Sequence, residues 1–285
     1  MEEIQNAEVE IISSEVALLA QTKGEIDIQI ATAKQYPRSL KEFFSTAEEL
    51  ATVDEDTADS CWYQLPARKG GDGKKIEGPS VRLAEIVAYS WGNLRAETNI
   101  ESIDEKFVTS VASAYDVQRN FGVRVRTKRR ITTKEGRRYG DDMIQTTAQA
   151  AQSIAFREAV FKVVPRSFVK RIYDKALLVS RGDATTLAAR RNTAFNWLRT
   201  TFGTQEKVIL EYFGRKSIDE ITLDDLVELK GIGTAMKDGL VLPSDAFRRE
   251  EEKETASELS EKIKSLNKDR EKKLADMTAS QTEIK

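Results

Sequence analysis

Residues 121–130, Phe-Gly-Val-Arg-Val-Arg-Thr-Lys-Arg-Arg, alternate so sharply that they demand an extended strand with two unlike faces. A period of two puts Phe121, Val123 and Val125 on one face and Arg124, Arg126, Lys128 and Arg130 on the other. Alternate residues on a strand stand about 6.6 Å apart, so the four cations form a row roughly 20 Å long. Arg129 stands next to its last member, and Lys134, Arg137 and Arg138 lie beyond it in the sequence. One or two such charges are ordinary on a solvated strand, where they discourage edge pairing. Four in register repel one another unless an anion or a row of carboxylates compensates. The row therefore points to a polyanion.

The flanking sequence places this strand in a β-meander. Strands are expected at about 95–103, 107–118 and 121–133, with Phe107, Val111, Tyr115 and Val117 on one side of the second and a turn around Asn120 and Gly122. The pattern then switches to a long helix with Asp141 and Asp142 near its start, where the helix dipole favours them, and Pro165 as its stop. Its small residues (Ala148, Ala150, Ala151, Ser153, Ala155, Ala159) permit close approach to a sheet. A further helix covers about 166–179, and Ser180-Arg181-Gly182-Asp183 reads as a linker.

Upstream, residues 11–33 read as an amphipathic helix interrupted near Gly24, and Ser39 with Glu42 as a capping box opening a helix to Ala51. An acidic run (Asp54, Glu55, Asp56, Asp59) leads into a short strand at Cys61–Leu65. Residues 66–78 read as an exposed glycine-rich loop, and Pro79 as the first turn of a helix ended by Gly92. Downstream, helices are expected at 187–202, 206–213 and from Thr222, which pairs with Asp225 as a capping box. The fold class expected is thus α+β: an antiparallel three-stranded meander packed on a long helix, with N-terminal helices and a small C-terminal all-helical module. The divisions are 1–59 (acidic helices), 60–180 (a nucleic-acid-binding core), 185–244 (helical module) and 245–285 (charged tail, helical or disordered).

The 285 residues carry 45 basic and 47 acidic side chains, but the near balance hides an asymmetry. Residues 1–60 hold 4 basic and 14 acidic groups, residues 61–180 hold 22 and 13. An acidic leading segment could therefore screen a basic middle. The absence of histidine and the single cysteine, Cys61, exclude His-based metal sites, Ser-His-Asp or Cys-His catalysis and an intrachain disulfide. No long apolar run suggests a membrane span and no basic, apolar leader is visible, so a cytoplasmic protein without membrane contact is expected.

Single-stranded nucleic acid is the polyanion that best suits a cationic groove with aromatics nearby to stack bases. Tyr139 is the aromatic expected to stack. Arg68, Lys69, Lys74 and Lys75 of the glycine-rich loop could add phosphate contacts, although the loop lacks the Gly-Lys-Ser/Thr ending of a phosphate-binding loop, so nucleotide hydrolysis is not supported. A metal-dependent nuclease would need Asp141 and Asp142, with Glu135 or Asp116, to share an ion. Adjacent residues on a helix diverge by about 100 degrees, which makes helix-start and turn roles the simpler account. Leu229-Lys230-Gly231-Ile232-Gly233-Thr234-Ala235 invites comparison with a helix-hairpin-helix turn but departs from its spacing, and is expected to be a helix C-cap and turn.

The stretch from Gly78-Pro-Ser-Val-Arg-Leu-Ala-Glu-Ile through Trp91-Gly92, Phe121–Arg130 and Thr146–Pro165, centred on Ser153-Ile-Ala-Phe-Arg-Glu-Ala-Val160, resembles the core of phage single-strand annealing proteins of the Erf, RecT and Redβ group. The resemblance covers roughly residues 60–178. It implies ATP-independent binding and annealing of single-stranded DNA in phage-type recombination, with no cofactor and no catalytic residues. It further implies a homo-oligomer, ring or helical filament, and a single-strand-binding protein or companion exonuclease as partner. The DNA would lie in a basic groove where Arg124, Arg126, Lys128 and Arg130 meet Arg157. The main alternative is a structural or adaptor protein whose basic strand mates with an acidic protein surface.

Overall fold

The computed structural model describes residues 21–66, 76–133, 135–182 and 186–247. Lys69, Lys74, the expected helix before residue 21 and the charged tail lie outside the described residues.

Helix α1 covers residues 21–35 and runs through Gly24 without a break, since a lone glycine weakens a helix by about 1 kcal/mol without ending it. Ser39 opens α2 (Leu40–Ala51), its Oγ accepting the Glu42 N–H at 3.3 Å. The acidic run that follows is itself a helix, α3 (Glu55–Ser60). Asp54 caps it by accepting the Thr57 N–H at 2.7 Å, and the carboxylates of Glu55 and Asp56 sit in its first turn. These are the positions where a helix favours negative charge.

Strand β1 (Trp62–Leu65) pairs antiparallel with β2 (Ile76–Pro79), Trp62 opposite Pro79 and Leu65 opposite Ile76. The end of the expected loop is therefore a strand. Pro79 closes that strand, and it is Ser80 that caps α4 (Val81–Trp91), its Oγ accepting the Leu83 N–H. Proline is tolerated at such a place because no further strand needs its missing N–H.

The meander β3 (Leu94–Ile103), β4 (Phe107–Asp116) and β5 (Phe121–Arg130) is an antiparallel sheet with β4 in the centre. Asn120, at φ +52, turns the chain between β4 and β5. Helix α5 (Asp141–Val163) covers one face, called inner below. Ala155, Ala159 and Val163 meet Ala112 and Ala114 of β4, while Ile144, Ala148 and Ala151 meet Val108 and Ile131. Alanine against alanine lets helix and sheet approach closely, as the small-residue pattern predicts. Beside this layer, Phe43, Leu83, Val87, Trp91, Val160 and Ile172 form a core shared by α2, α4, α5 and α6 (Arg166–Arg181).

Helices α7 (Leu187–Phe202), α8 (Glu206–Phe213), α9 (Leu223–Lys237) and α10 (Pro243–Ala246) have a core of their own around Leu198, Ile209, Leu226 and Ile232. Thr222 and Asp225 form the predicted reciprocal capping box. Helix α9 then passes through Gly231 and Gly233, where a turn is expected from sequence. Both glycines serve aromatic packing. A Cβ at 231 would stand 2.5 Å from Trp62 Cζ3, and one at 233 would run into the Trp197 ring.

Residues 180–182 are no free linker. Ser180 ends α6 buried, its Oγ accepting the Trp62 Nε1–H at 2.9 Å and donating to Asp59 at 2.6 Å. Arg190 of α7 donates to the carbonyls of Ser180 and Arg181 and pairs with Glu55. Lys230 of α9 bridges Glu55 at 2.6 Å and Asp59 at 2.5 Å, and in α2 Glu48 pairs with Arg171 and Lys175 of α6. These described acids of the leading segment thus neutralise cations of α6, α7 and α9. Arg171 and Lys175 belong to the basic middle, so part of it is paired with the leading segment, while none of these three carboxylates reaches the cationic row.

Candidate nucleic-acid interface

Pairing in the meander decides which side chains share the cationic face. Residues opposite one another in antiparallel strands point to the same side. The register sets Phe107 opposite Arg130, Thr109 opposite Lys128, Val111 opposite Arg126, Ser113 opposite Arg124 and Tyr115 opposite Gly122. On β3, Arg95, Glu97, Asn99 and Ser102 join these rows. This outer face is opposite α5, and Arg124, Arg126, Lys128 and Arg130 are all exposed on it along an edge strand.

One carboxylate enters the row. The β3–β4 register shifts between Ile100 and Ser102, and the extra residue of this bulge is Glu101. Arg126 grips it from two nitrogens, Nη2 donating to Oε1 at 2.7 Å and Nε donating to Oε2 at 3.0 Å and to Oε1 at 3.2 Å. That grip, aided by the charges of Arg124 and Lys128, holds the Glu101 carboxyl below its ordinary range and raises Arg126. Arg124, Lys128 and Arg130 have no ion-pair partner among the described residues. Counting Arg95, the outer face carries five cations against Glu97 and Glu101.

Two aromatics on this face escape a reading of the sequence alone. Tyr115, 37% exposed, lays its ring against Gly122 beside Arg124, at one end of the row. Phe107, half-buried, stands opposite Arg130 at the other. The alternation of β4 groups them with Val111. Only the hairpin register shows that this group shares a face with the cations.

Other expected site residues lie elsewhere. Arg137 and Arg138 are exposed just past the Arg130 end, where Arg138 bridges back to Thr132 and donates to the Asp104 carbonyl at 2.6 Å. Tyr139 packs on the inner side against the Val108–Ile131–Ile144 cluster, so its ring is not beside the row. Arg129 also points inward, to the Gly239 carbonyl, and burial lowers its pKa. Arg157 is separated from the row by the sheet itself. It lies buried on α5, 5.0 Å from the centre of the Tyr63 ring and paired with Glu158 at 3.2 Å. An alanine-rich helix face must meet the sheet, so the long Arg157 is turned away towards β1.

No group of three or more Cys, Asp or Glu side chains among the described residues is arranged to hold a metal ion. Asp116 is buried in an ion pair with Arg38 at 2.9 Å and accepts from Trp91 Nε1 at 2.9 Å. Burial pushes the Cys61 thiol up to about 12. A cleft of about 630 Å³ between α3, α7 and α9 is lined by the Glu55, Asp59, Arg190 and Lys230 network, whose charges are already paired with one another. Among the described residues no helix is long and apolar enough to cross a membrane.

No protein family, curated protein or solved structure matches this chain.

Proposed function

We propose that the protein binds single-stranded nucleic acid, DNA in the first instance, on the outer face of the meander and anneals complementary strands there without ATP. The observation that carries this is the exposed edge row of Arg124, Arg126, Lys128 and Arg130, three of them without a carboxylate partner among the described residues, with Tyr115 and Phe107 at its ends. The mechanism is physical. Cations displace the counterions of two mutually repelling strands and hold them close while bases test for pairing, and exposed rings stack unpaired bases.

Four phosphate contacts on a single strand give a slope of log affinity against log salt of about −3, so raising salt fourfold weakens binding roughly 50-fold. Fluorescence anisotropy of a labelled oligonucleotide between low and moderate salt measures this. Arg124→Glu with Arg126→Glu is expected to abolish both binding and annealing. A folded double variant that anneals complementary oligonucleotides normally would remove the row from the site.

One observation favours a second reading. Arg126 already holds a carboxylate in two-pronged fashion, so the row suits an acidic protein surface as well as phosphate, as a structural or adaptor protein would require. A gel shift with a single-stranded oligonucleotide separates the two.

A further inference from the structure

The outer face has a middle as well as an edge. Phe107, Thr109, Val111, Ser113 and Tyr115 follow one another along β4, between the cations of β5 and the side chains of β3. Val111 and Thr109 are only 7% and 4% exposed, although α5 lies on the opposite face of the sheet. Among the described residues their cover comes from long side chains of the two flanking strands. The Arg126–Glu101 pair lies in the right place to supply it. β3 and β5 stand on either side of β4, roughly 9–10 Å apart at ordinary strand spacing, so an ion pair between them crosses the central strand.

Register fixes where it crosses. Arg126 starts opposite Val111, and the bulged Glu101 adjoins Ser102, which stands opposite Thr109. The pair thus straps β4 between Val111 and Thr109, in the middle of the line from Tyr115 to Phe107. A strand that follows the cationic row with bases on those two rings has to pass it. Carboxylate and phosphate also compete for the same donors, because a guanidinium fork meets either anion with two parallel hydrogen bonds. With its side chains 63% and 37% exposed, the pair is of the weak, readily opened kind. Glu97, the other outer-face carboxylate, instead accepts from Ser113 Oγ at 2.9 Å.

We propose that Glu101 is a built-in competitor for the phosphate site at Arg126. In the empty protein its strap closes the middle of the outer face. A bound strand displaces it, taking Arg126 with a phosphate and uncovering Val111 and Thr109 for a base. Glu101 therefore tunes how tightly a strand is held. This rests on the reading that the outer face binds single-stranded nucleic acid, and it adds a regulator to that same site.

Fluorescence anisotropy of a labelled single-stranded oligonucleotide with the full-length chain at low salt tests it. Glu101→Gln is expected to tighten binding about fivefold, the upper range for an exposed pair in good geometry. Glu97→Gln removes the same charge without freeing an arginine and is expected to gain clearly less. In an Arg126→Ala background the gain from Glu101→Gln should shrink to that of Glu97→Gln, the coupling that a shared contact produces. A second measurement needs no nucleic acid. The native cysteine is buried, so the thiol of Val111→Cys can be labelled selectively, and Glu101→Gln is expected to speed that labelling. If the chain binds no oligonucleotide with or without Glu101, the binding reading falls and this proposal with it. If it binds but Glu101→Gln gains no more than Glu97→Gln, if the gain persists in full without Arg126, or if labelling at position 111 is unchanged, this proposal alone is overturned.

Discussion

Gly231→Ala sets two physical effects against each other, and the structure decides the sign. Gly231 lies inside α9, where glycine-to-alanine ordinarily stabilises by about 1 kcal/mol. Here the new Cβ would stand 2.5 Å from Trp62 Cζ3, 2.7 Å from Cη2 and 2.8 Å from Gln64 Cβ. The ring has nowhere to go: Trp62 is fully buried, and its Nε1 is held by Ser180, itself held by Asp59. Overpacking of this kind costs about 1–3 kcal/mol, and a site with no give belongs at the upper end. The net expectation is a loss of about 1–2 kcal/mol, or a fall in Tm of roughly 2–8 °C for a chain of this size.

Gly233→Ala is the internal control. It faces Trp197, which is only half-buried and lines the cleft beside α9. That ring can swing outward, so the propensity gain survives and Tm is expected to hold or rise slightly. Thermal unfolding followed by circular dichroism, with urea midpoints as a check, measures both. If Gly231→Ala stabilises the protein as much as helix propensity alone predicts, α9 does not pack on Trp62 and the tie between the C-terminal helices and the β1–β2 hairpin is wrong.

Two further predictions concern buried charge. Asp116→Asn leaves Arg38 buried without its partner, at an expected cost of about 3–5 kcal/mol in the urea-derived stability at neutral pH. Burial alone would raise the Asp116 carboxyl, but hydrogen bonds from Arg38, Trp91 and the Arg119 N–H together bring it below its ordinary value. A lowered folded pKa means that its contribution is fully present above the unfolded value of about 3.9 and is lost as pH falls through the lower folded one; wild type and Asp116→Asn should therefore converge in stability under strongly acidic conditions. Arg157→Gln is expected to lower the urea midpoint while leaving the affinity of the folded protein for a single-stranded oligonucleotide unchanged, because the sheet separates Arg157 from the row; a selective loss of affinity at unchanged stability would return Arg157 to the interface.

Elements whose stabilising signals are local were legible before any tertiary contact was considered. Thr222 and Asp225 cap α9 through atoms three residues apart, and the alternation of β5 needs no partner to define its two faces. Where tertiary packing overrides a local signal, the reading from sequence failed. Gly231 and Gly233 look like a helix terminus, yet they are there so that Trp62 and Trp197 can lie against the helix. Ile76–Pro79 has too few residues to announce a strand and becomes one by pairing with β1. Asp54 and Thr57 did carry an N-cap pattern, and the density of charge around them obscured it.

By itself, then, the sequence determined the α+β class, the three-stranded meander on a small-residue helix and the cationic face of β5, because periodicity and capping act within a few residues. Only the tertiary structure decided what shares that face. Hairpin register put Tyr115, Phe107, Glu97 and Glu101 beside the cations, and the closeness of α5 to the sheet turned Arg157 and Tyr139 away from them. Register and packing depend on which residues meet across a gap in the chain, which no local pattern encodes. For the same reason only the tertiary structure shows which cations the carboxylates of Glu48, Glu55 and Asp59 meet: those of α6, α7 and α9, and not the row on β5.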